Sequence, residues 1–417
     1  MRIKILLSFS MILMLSGCSF LNQIRMRFAN DDLTAQWRVK EEQIALPTRY
    51  ISNKPHVYVD INGEEDFLFL IDSGASISYL MDSAKVAEMN LDRGFDLLAA
   101  GWGDGKDSIA YQVTVKQLNL SGVSFENVSM AYLPVAKSPY FARADEVVID
   151  GVLGHDILKH FVWQFDERLN RIKISRTPFQ AGPEDVTVEF DISMSKLSIP
   201  VKIDLGNERV IQHDVLIDTG SRHYFKLNQT YLDEESIALN LPSVEAADFG
   251  LSGRAIHRRV TLPGLKVGSV NMPNIKTNLI ETDDADDFWV IGSAALNQYI
   301  STLDYTQNKL FLTPYPDHHF NSQYNLIGLE LRKITSGEFV VRYVMPDMAT
   351  SDFDFKVGDL ITRLSGKPSS EITEDEWLML SDQPGEYEIC RVREPTVNQQ
   401  CFLVASKHVE GYSNQKL

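Results

Sequence analysis

The chain has 417 residues, enough for two or three domains of ordinary size. Hydrophobic residues make up 44% and charged residues 23%, as in typical globular proteins. The 40 basic and 57 acidic residues give a net charge of −17 at pH 7. Binding to a phosphate backbone requires clusters of Lys and Arg, which this sequence lacks. We therefore expect no nucleic-acid partner and interpret the negative charge as favouring solubility.

The N-terminus has the features of an export signal. Arg2 and Lys4 precede an apolar stretch, Ile5 to Leu15, which is too short to span a bilayer. Leu15-Ser16-Gly17-Cys18 resembles the bacterial lipobox, and this resemblance implies cleavage before Cys18 and acylation of that residue. Ser19 at the next position implies a bacterial envelope protein held by lipid at the outer membrane, facing the periplasm. The alternative is a plain signal peptide with an incidental cysteine.

The next part of the chain changes from a polar lead-in to a β pattern. Residues 19–45 are mixed and have no clear strand period, so we interpret them as a tether and lead-in. Two strand-like runs, 57–61 and 67–71, flank the hairpin turn Asn62-Gly63, and the second run leads into Asp72. A short helix is predicted at 83–89.

The run that ends at Asp72 occurs twice. Leu70-Ile71-Asp72-Ser73-Gly74-Ala75 corresponds to Leu216-Ile217-Asp218-Thr219-Gly220-Ser221, at an offset of 146 (216 − 70). Later matches keep the same order: 99–103 with 246–250, 118–120 with 265–267, Val152-Leu153-Gly154 with Val290-Ile291-Gly292, and 166–170 with 304–308. The offset falls from 147 (246 − 99) to 138 (290 − 152), so about nine residues are missing from the second copy. One duplicated and fused unit is predicted.

Two aspartates at the ends of equivalent strands predict a catalytic pair. Two carboxyl groups held face to face cannot both ionise easily, so a pair that shares one proton supplies an acid and a base at the same pH. Asp-Ser-Gly or Asp-Thr-Gly alone is also ordinary turn chemistry, and only their joint occurrence favours catalysis by Asp72 and Asp218. Which aspartate is the base stays open, because the proton belongs to the pair.

The residues after each aspartate suit a supporting role. We expect the hydroxyl groups of Ser73 and Thr219 to bond backbone atoms across the pseudo-dyad and so fix the two loops. Gly74 and Gly220 lack side chains and would let the two carboxylates approach closely.

These motifs resemble the retropepsin-like aspartic proteases, especially their bacterial members, in a single-chain duplicated form. The resemblance covers about 56–175 and 186–314 and implies a mainly β fold with two acid-protease lobes. It also implies that Gly154 and Gly292 lie on strands that support the aspartate loops. The second copy departs from the family pattern after Gly292, with Ser293-Ala294-Ala295, which we interpret as drift in a supporting element.

A glycine-rich segment follows each aspartate after about thirty residues. The first contains Gly101, Trp102 and Gly103, and the second contains Phe249 and Gly250. Such segments suit flaps that close over an extended substrate and exclude water. The alternative is two mobile hairpin turns.

Residues 322–410 form a separate predicted domain. The order of a Gly-Leu loop, a β run, Val357-Gly358-Asp359-Leu360-Ile361 and a turn that ends in Gly366-Lys367-Pro368 resembles bacterial PDZ domains. That family binds extended peptides or C-termini along a sheet edge. The resemblance implies that the loop of Ile327, Gly328 and Leu329 receives a carboxylate. The alternative is a small domain that only packs against its neighbour.

Two cysteines remain after the signal, Cys390 and Cys401. They lie in strand-like runs on either side of Glu394-Pro395-Thr396, and a tight turn there would place them opposite one another. Export permits a disulfide. Two small buried thiols are the alternative.

The sequence thus divides into a signal (1–18), a tether and lead-in (19–45), two protease lobes (46–178 and 186–314) and a PDZ-like α/β domain (322–410). We expect a lipid-anchored aspartic endopeptidase with peptide or protein substrates and the membrane as partners, and with no metal or cofactor. The PDZ-like domain would recruit or regulate substrates. The rival hypothesis is an inactive envelope scaffold that binds proteins without cutting them.

Overall fold

A computed structural model describes residues 21–393 and 399–413 of the chain. The predicted signal with its lipobox and Cys18, and the predicted turn Glu394-Pro395-Thr396, lie outside the described residues. The fold is mainly β. Within the described ranges, no helix combines the length and apolar character needed to cross a membrane.

The first lobe is built from strands β1 to β12 and two short helices. Their bounds are β1 Gln36–Trp37, β2 Gln43–Leu46, β3 Thr48–Ile51, β4 Lys54–Ile61, β5 Glu64–Ile71, β6 Tyr79–Met81, α1 Ala84–Glu88, β7 Asp96–Ala99, β8 Ser108–Leu120, β9 Val123–Leu133, β10 Gly151–Leu153, α2 His155–Leu158, β11 Val162–Asp166 and β12 Arg171–Ser175. Asn62 and Gly63 adopt positive φ (54° and 87°), which makes the tight turn between β4 and β5. Helix α1 begins after Ser83, whose side chain accepts the Val86 amide.

The second lobe repeats this plan. Its elements are β13 Val186–Glu189, β14 Asp191–Ser193, β15 Lys196–Asp204, β16 Val210–Asp218, β17 Phe225–Asn228, α3 Gln229–Glu234, β18 Val244–Gly250, β19 Gly253–Val267, β20 Val270–Ile280, β21 Val290–Gly292, α4 Ser293–Leu296, β22 Tyr299–Asp304 and β23 Lys309–Pro314. The first-lobe path β9-β6-β10-β5-β4-β8-β7 has the same connectivity as β20-β17-β21-β16-β15-β19-β18. The duplicated sequence therefore folds into two lobes of one topology.

A second sheet joins the two lobes. Its order is β13-β23-β22-β11-β12-β2, and the contact between lobes is the antiparallel pair β11–β22, where Val162 is opposite Asp304. Buried side chains of both lobes, including Trp163 and Leu303, belong to one continuous core. The lobes are therefore fixed to each other by backbone hydrogen bonds and by a shared apolar interior.

The lead-in contributes strands that the sequence did not predict. Strand β1 pairs with β9, and β2 pairs with β12 at the edge of the joining sheet, with Leu46 opposite Ile172. Neither segment has a strand period of its own. Their extended conformation comes from pairing with the sheet edges that they complete. Residues 21–27, before these strands, are helical.

The extra residues of the first copy form one long connection. Residues 134–150 join β9 to β10, whereas residues 281–289 join the equivalent β20 to β21. We call residues 134–150 the insertion loop. Its Asp145 carbonyl accepts the amide of Thr335, which lies far along the chain in the C-terminal unit.

That C-terminal unit, residues 324–413, has its own sheet. Its elements are β24 Leu329–Lys333, β25 Phe339–Val344, β26 Leu360–Leu364, β27 Lys367–Pro368, α5 Glu374–Ser381, β28 Glu386–Val392 and β29 Gln400–Ala405, in the sheet order β24-β25-β26-β28-β29 with β27 beside β26. Helix α5 begins with a capping box between Thr373 and Glu376. Cys390 and Cys401 lie opposite each other on β28 and β29 and form a disulfide.

Candidate active site

The two aspartates occupy equivalent ends of equivalent strands. Asp72 follows β5 directly and Asp218 ends β16. Beside them run the parallel strands β10 and β21, with Leu153 opposite Ile71 and Gly292 opposite Asp218. Asp72 comes directly after the last paired residue of β5, Asp218 is the last paired residue of β16, and both aspartates line one cavity.

Each carboxylate is held by its own loop in the same way. Asp72 Oδ1 accepts the amides of Gly74 (2.8 Å) and Ala75 (3.0 Å). Asp218 Oδ1 accepts the amides of Gly220 (2.9 Å) and Ser221 (3.0 Å). These bonds leave the second oxygen of each carboxyl group available in the cleft.

The two loops exchange hydrogen bonds across the pseudo-dyad. The Ser73 amide donates to Thr219 Oγ1 (3.0 Å), and the Thr219 amide donates to Ser73 Oγ (3.1 Å). Each hydroxyl in turn donates to the opposite strand, Ser73 Oγ to the Ile217 carbonyl and Thr219 Oγ1 to the Ile71 carbonyl, both at 2.7 Å. Ser73 and Thr219 are buried, so these bonds are protected from water.

The close approach of the loops leaves no room for side chains at the two glycines. A Cβ on Gly74 would lie 2.7 Å from the Asp218 carboxyl carbon, and a Cβ on Gly220 would lie 2.4 Å from that of Asp72. Each glycine therefore faces the opposite aspartate, and any larger residue would separate the carboxyl groups.

The proximity of the carboxyl groups is reflected in the pKa of Asp72. Burial and the Asp218 carboxylate, with which it shares a hydrogen bond, raise the pKa of Asp72 to about 7. Lys196 opposes this shift, since its ammonium donates to the Gly74 carbonyl beside the pair. On the acidic side of that pKa the pair therefore holds a shared proton.

Gly154 and Gly292 lie where the supporting strands end. The Gly154 amide donates to Ser78 Oγ (3.0 Å) and the Gly292 amide to the Tyr224 carbonyl (3.2 Å). Each glycine packs tightly on the loop that follows the aspartate of its own lobe, because a Cβ would lie 2.4 Å from the Ile77 carbonyl oxygen or 2.2 Å from that of His223.

The segments expected to be flaps meet above the pair. The Ser252 amide donates to the Trp102 carbonyl (3.0 Å), and the Gly105 amide donates to the Ser252 carbonyl (2.7 Å). Gly101 and Gly103 contact residues 251–253, and the space for a Cβ on Gly250 is filled by the Trp102 carbonyl. The two tips are thus hydrogen-bonded to each other.

Beneath these tips is a cavity of about 320 Å³ that contains both aspartates. Its wall includes Trp102 and Phe249 from the two tips. Trp102 packs edge-on against Phe288 (5.3 Å between centroids) and has the Lys226 ammonium 4.6 Å from its ring centroid. A cavity of this volume lies at the lower end of the range found for ligand-binding pockets.

The C-terminal unit supplies another part of the same wall. Glu330, Leu331 and Arg332 on β24, Arg342 on β25 and Glu374 on α5 all line the cavity. Residues of three parts of the chain therefore surround the aspartates.

A buried ion network connects β24 to the second aspartate loop. Glu330 pairs with Arg222 and with Arg259, both at 2.7 Å, and Arg259 also approaches Asp248 at 3.4 Å. Burial raises the pKa of Glu330, but the two guanidinium groups outweigh this effect and lower the pKa to about 2. Asp248 additionally contacts His223 at 2.7 Å. Arg222 and His223 follow Asp218 closely, so the network reaches the candidate site.

The loop of Ile327, Gly328 and Leu329 has surroundings that differ from the expectation. Ile327 and Leu329 are fully buried, and the Gly328 amide already donates to Asn325 Oδ1 at 2.7 Å. The loop packs against Met348, 2.3 Å from the ideal Cβ position on Gly328. The central amide of this loop is thus already hydrogen-bonded.

Among the described residues, one group could offer three metal ligands: Glu388, Cys390 and Cys401. Both sulfurs are used by the disulfide, which leaves one carboxylate. The aspartates themselves face each other with amide donors and a lysine nearby, which suits a shared proton.

Several residues that line the cavity were not identified from the sequence. Lys54 and Lys196 begin equivalent strands, and an alignment of the two hairpins could have paired them. Glu330 and Tyr140 had no such signal, because they come from the unduplicated parts of the chain.

Comparison with known proteins supports the reading of the first lobe. Residues 57–157 match the family model described as aspartyl protease. No curated protein matches the chain. Among solved structures, the aspartic proteinase from Irpex lacteus is similar with 14% identity and a TM-score of 0.43, over 65% of this chain and 97% of that one. The matched range contains Asp72 and the supporting strand β10.

Proposed function

We propose that the protein is an aspartic endopeptidase in which Asp72 and Asp218 together activate one water molecule. The observation that carries this proposal is the pair of symmetrically held carboxyl groups in one cavity, with the pKa of Asp72 raised to about 7. The family match of residues 57–157 gives independent support for the first aspartate.

The reaction needs one proton on the pair. The ionised carboxylate takes a proton from water as the oxygen attacks the scissile carbonyl carbon, while the protonated carboxyl group gives its proton to the carbonyl oxygen. The resulting tetrahedral diol collapses with cleavage of the C–N bond: a diol hydroxyl gives its proton to the ionised carboxylate, the leaving nitrogen takes the proton of the other carboxyl group, and a carboxyl and an amine product separate. The backbone amides that bond each Oδ1 keep the carboxyl groups oriented throughout.

The C-terminal unit, which resembles PDZ domains, is proposed to regulate this site. Support comes from its contribution to the cavity wall and from the Glu330–Arg222 pair beside the second aspartate loop. Peptide recruitment through the Ile327 loop has less support, because the amide of Gly328 is already bonded.

Anchoring to a bacterial outer membrane through Cys18 is a further part of the proposal. It rests on the Leu15-Ser16-Gly17-Cys18 sequence alone.

The first test removes one carboxylate at a time. Asp72→Asn and Asp218→Asn should each lower kcat by about 10³-fold or more, because neither variant can form an acid and base pair. Cleavage of a peptide library is followed by mass spectrometry, with and without an inhibitor that carries a hydroxyl in place of the scissile carbonyl. Asp66→Asn, on an exposed residue with positive φ that asparagine tolerates, is the matched control. Near-normal cleavage by either active-site variant would exclude the pair mechanism, whereas inactivity of the unsubstituted protein would favour the scaffold hypothesis.

A second test uses pH. The shared proton is lost as pH rises through the pKa of Asp72, about 7, so kcat should fall above that pH and be highest on the mildly acidic side. Lys196→Met removes a charge that lowers this pKa, so the alkaline limb should move to higher pH. Lys202→Met, on an exposed residue of the same strand, should leave the limb in place. A profile that peaks above about pH 8 in the unsubstituted protein contradicts the assignment.

The regulatory role is tested at the ion network. Glu330→Gln leaves Arg222 and Arg259 without their buried partner, at a cost of about 3–5 kcal/mol to the docking of the C-terminal unit. We expect a lower kcat/KM together with faster limited proteolysis between the second lobe and this unit. Glu371→Gln, on an exposed glutamate of the same unit, serves as the control. Unchanged kinetics in Glu330→Gln would argue that the unit has no influence on catalysis.

Lipid attachment is tested by labelling. Cells given a labelled fatty acid should incorporate it into the unsubstituted protein, and Cys18→Ser should abolish incorporation and release the protein from the membrane fraction. Cys401→Ser controls for nonspecific thiol labelling. Equal labelling of the unsubstituted protein and Cys18→Ser would exclude the anchor.

A further inference from the structure

The two hairpins that flank the aspartates are equivalent in the two lobes. The β3–β4 turn has positive φ at Ser52 and Asn53, and the β14–β15 turn has it at Met194 and Ser195. In the strand registers, His56 lies opposite Leu70 and Ser198 lies opposite Leu216, so the two strands are aligned on the two aspartates. Counting back two residues from each makes Lys54 the counterpart of Lys196.

Each hairpin contacts the aspartate loop of the other lobe. Ser76 Oγ donates to the Met194 carbonyl (3.4 Å), and Arg222 donates to Ser52 Oγ (3.4 Å). Ser76 and Arg222 are also counterparts, each four residues after its aspartate (76 − 72 and 222 − 218). The pseudo-dyad therefore extends to these hairpins, and both lysines line the cavity.

The two lysines nevertheless differ in their partners. The Lys196 ammonium donates to the Gly74 carbonyl. Six cations line the cavity: Lys54, Lys196, Arg222, Lys226, Arg332 and Arg342. Five of them make a hydrogen bond or an ion pair. Within the part of the chain that the structure describes, the Lys54 ammonium makes neither, and no carboxylate lies within 4.0 Å of it.

The asymmetry arises from the insertion loop. Tyr140 of this loop lines the cavity next to Lys54, and its hydroxyl accepts a bond from Arg332 at 3.1 Å. Burial raises the pKa of Tyr140, but Arg332, Lys54 and Arg342 lower it to about 8. The phenol is thus surrounded by positive charge. The second lobe has a shorter connection at the equivalent place, so this arrangement exists on one side of the cleft.

The neighbouring groups offset only part of this charge. Burial, followed by Lys54, lowers the pKa of His56 to about 3, so its imidazole is uncharged at neutral pH. Glu374 lines the same cavity and offsets part of the charge of Arg332, while its Oε1 accepts the Lys333 amide at 2.8 Å. Arg332 also retains a buried Nε without a hydrogen-bond partner. Lys54 and Arg332 thus place two positive charges next to Tyr140 in the cavity wall.

We propose that Lys54 and Arg332 form a carboxylate-binding subsite, so that the preferred substrate carries an acidic side chain or a C-terminal carboxylate on one side of the scissile bond. This inference rests on the proposed protease function, because it assigns a substrate class to the same cleft. A substrate carboxylate would give Lys54 the partner that it lacks, and the positive charge of Arg332 would add to the attraction.

The test measures binding separately from cleavage. Synthetic peptides are prepared in which a reduced amide replaces the scissile bond. The two members of a pair differ only in having Glu or Gln at one position, and pairs cover each of three positions on either side of the reduced amide. A second set differs only by a free or an amidated C-terminus. The first set measures the preference for an acidic side chain, and the second measures the preference for a terminal carboxylate. Affinity is measured by titration calorimetry with the full chain.

At one position the acidic member of a pair should bind about tenfold or more tightly than its neutral partner. Lys54→Gln should remove that preference while leaving the affinity for the neutral peptide unchanged, which also shows that the variant is folded. Lys54→Arg should retain most of the preference, and Lys54→Glu should weaken the binding of acidic peptides further. Lys116→Gln, on an exposed lysine of the same lobe, is the matched control.

The outcomes for the subsite and for the protease are distinct. Equal affinity for both members of every pair, or an equal loss for both in Lys54→Gln, overturns the subsite. The same peptides with ordinary amide bonds are then incubated with the protein. Discrimination in binding without any cleavage would support the subsite and overturn the proposed protease function, whereas cleavage without discrimination would do the reverse.

Discussion

The exchange of hydrogen bonds between Ser73 and Thr219 is the constraint on which the rest of the site depends. Each hydroxyl accepts an amide from the opposite loop and donates to a carbonyl of the opposite strand. The exchange is reciprocal, so neither loop can take its final conformation without the other lobe. The two glycines then allow the carboxyl groups to meet, and the raised pKa of Asp72 follows from that proximity.

The duplication accounts for the symmetric part of the cleft, and the unduplicated parts make the cleft asymmetric. The insertion loop brings Tyr140 to one side, and the C-terminal unit closes the same side with β24. The Glu330 network has charges buried on both sides of this interface, where desolvation is costly unless each charge is paired. The pairing therefore favours one docked arrangement of the C-terminal unit, and with it one shape of the cavity.

The hydrogen bonds between the tips also bear on function. Ser252 joins Trp102 and Gly105, so the cavity is covered in this conformation. In the proposed protease, opening of these bonds would admit an extended chain, and closure afterwards would limit water at the reacting groups.

The sequence by itself determined the duplication, the aspartate pair and the roles of the hydroxyl and glycine residues beside it. These features are local motifs that are repeated in a fixed order. A carboxyl pair forms from them as soon as the ends of the two equivalent strands lie next to each other. The pairing of β1 and β2, the surroundings of the Ile327 loop and the subsite at Lys54 were decided by tertiary structure alone. Lys54, Tyr140 and Arg332 are separated by 86 (140 − 54) and 192 (332 − 140) residues, and only packing of the C-terminal unit against the insertion loop brings them together. No short-range pattern records such a contact, because its free energy comes from burial and charge pairing between distant segments.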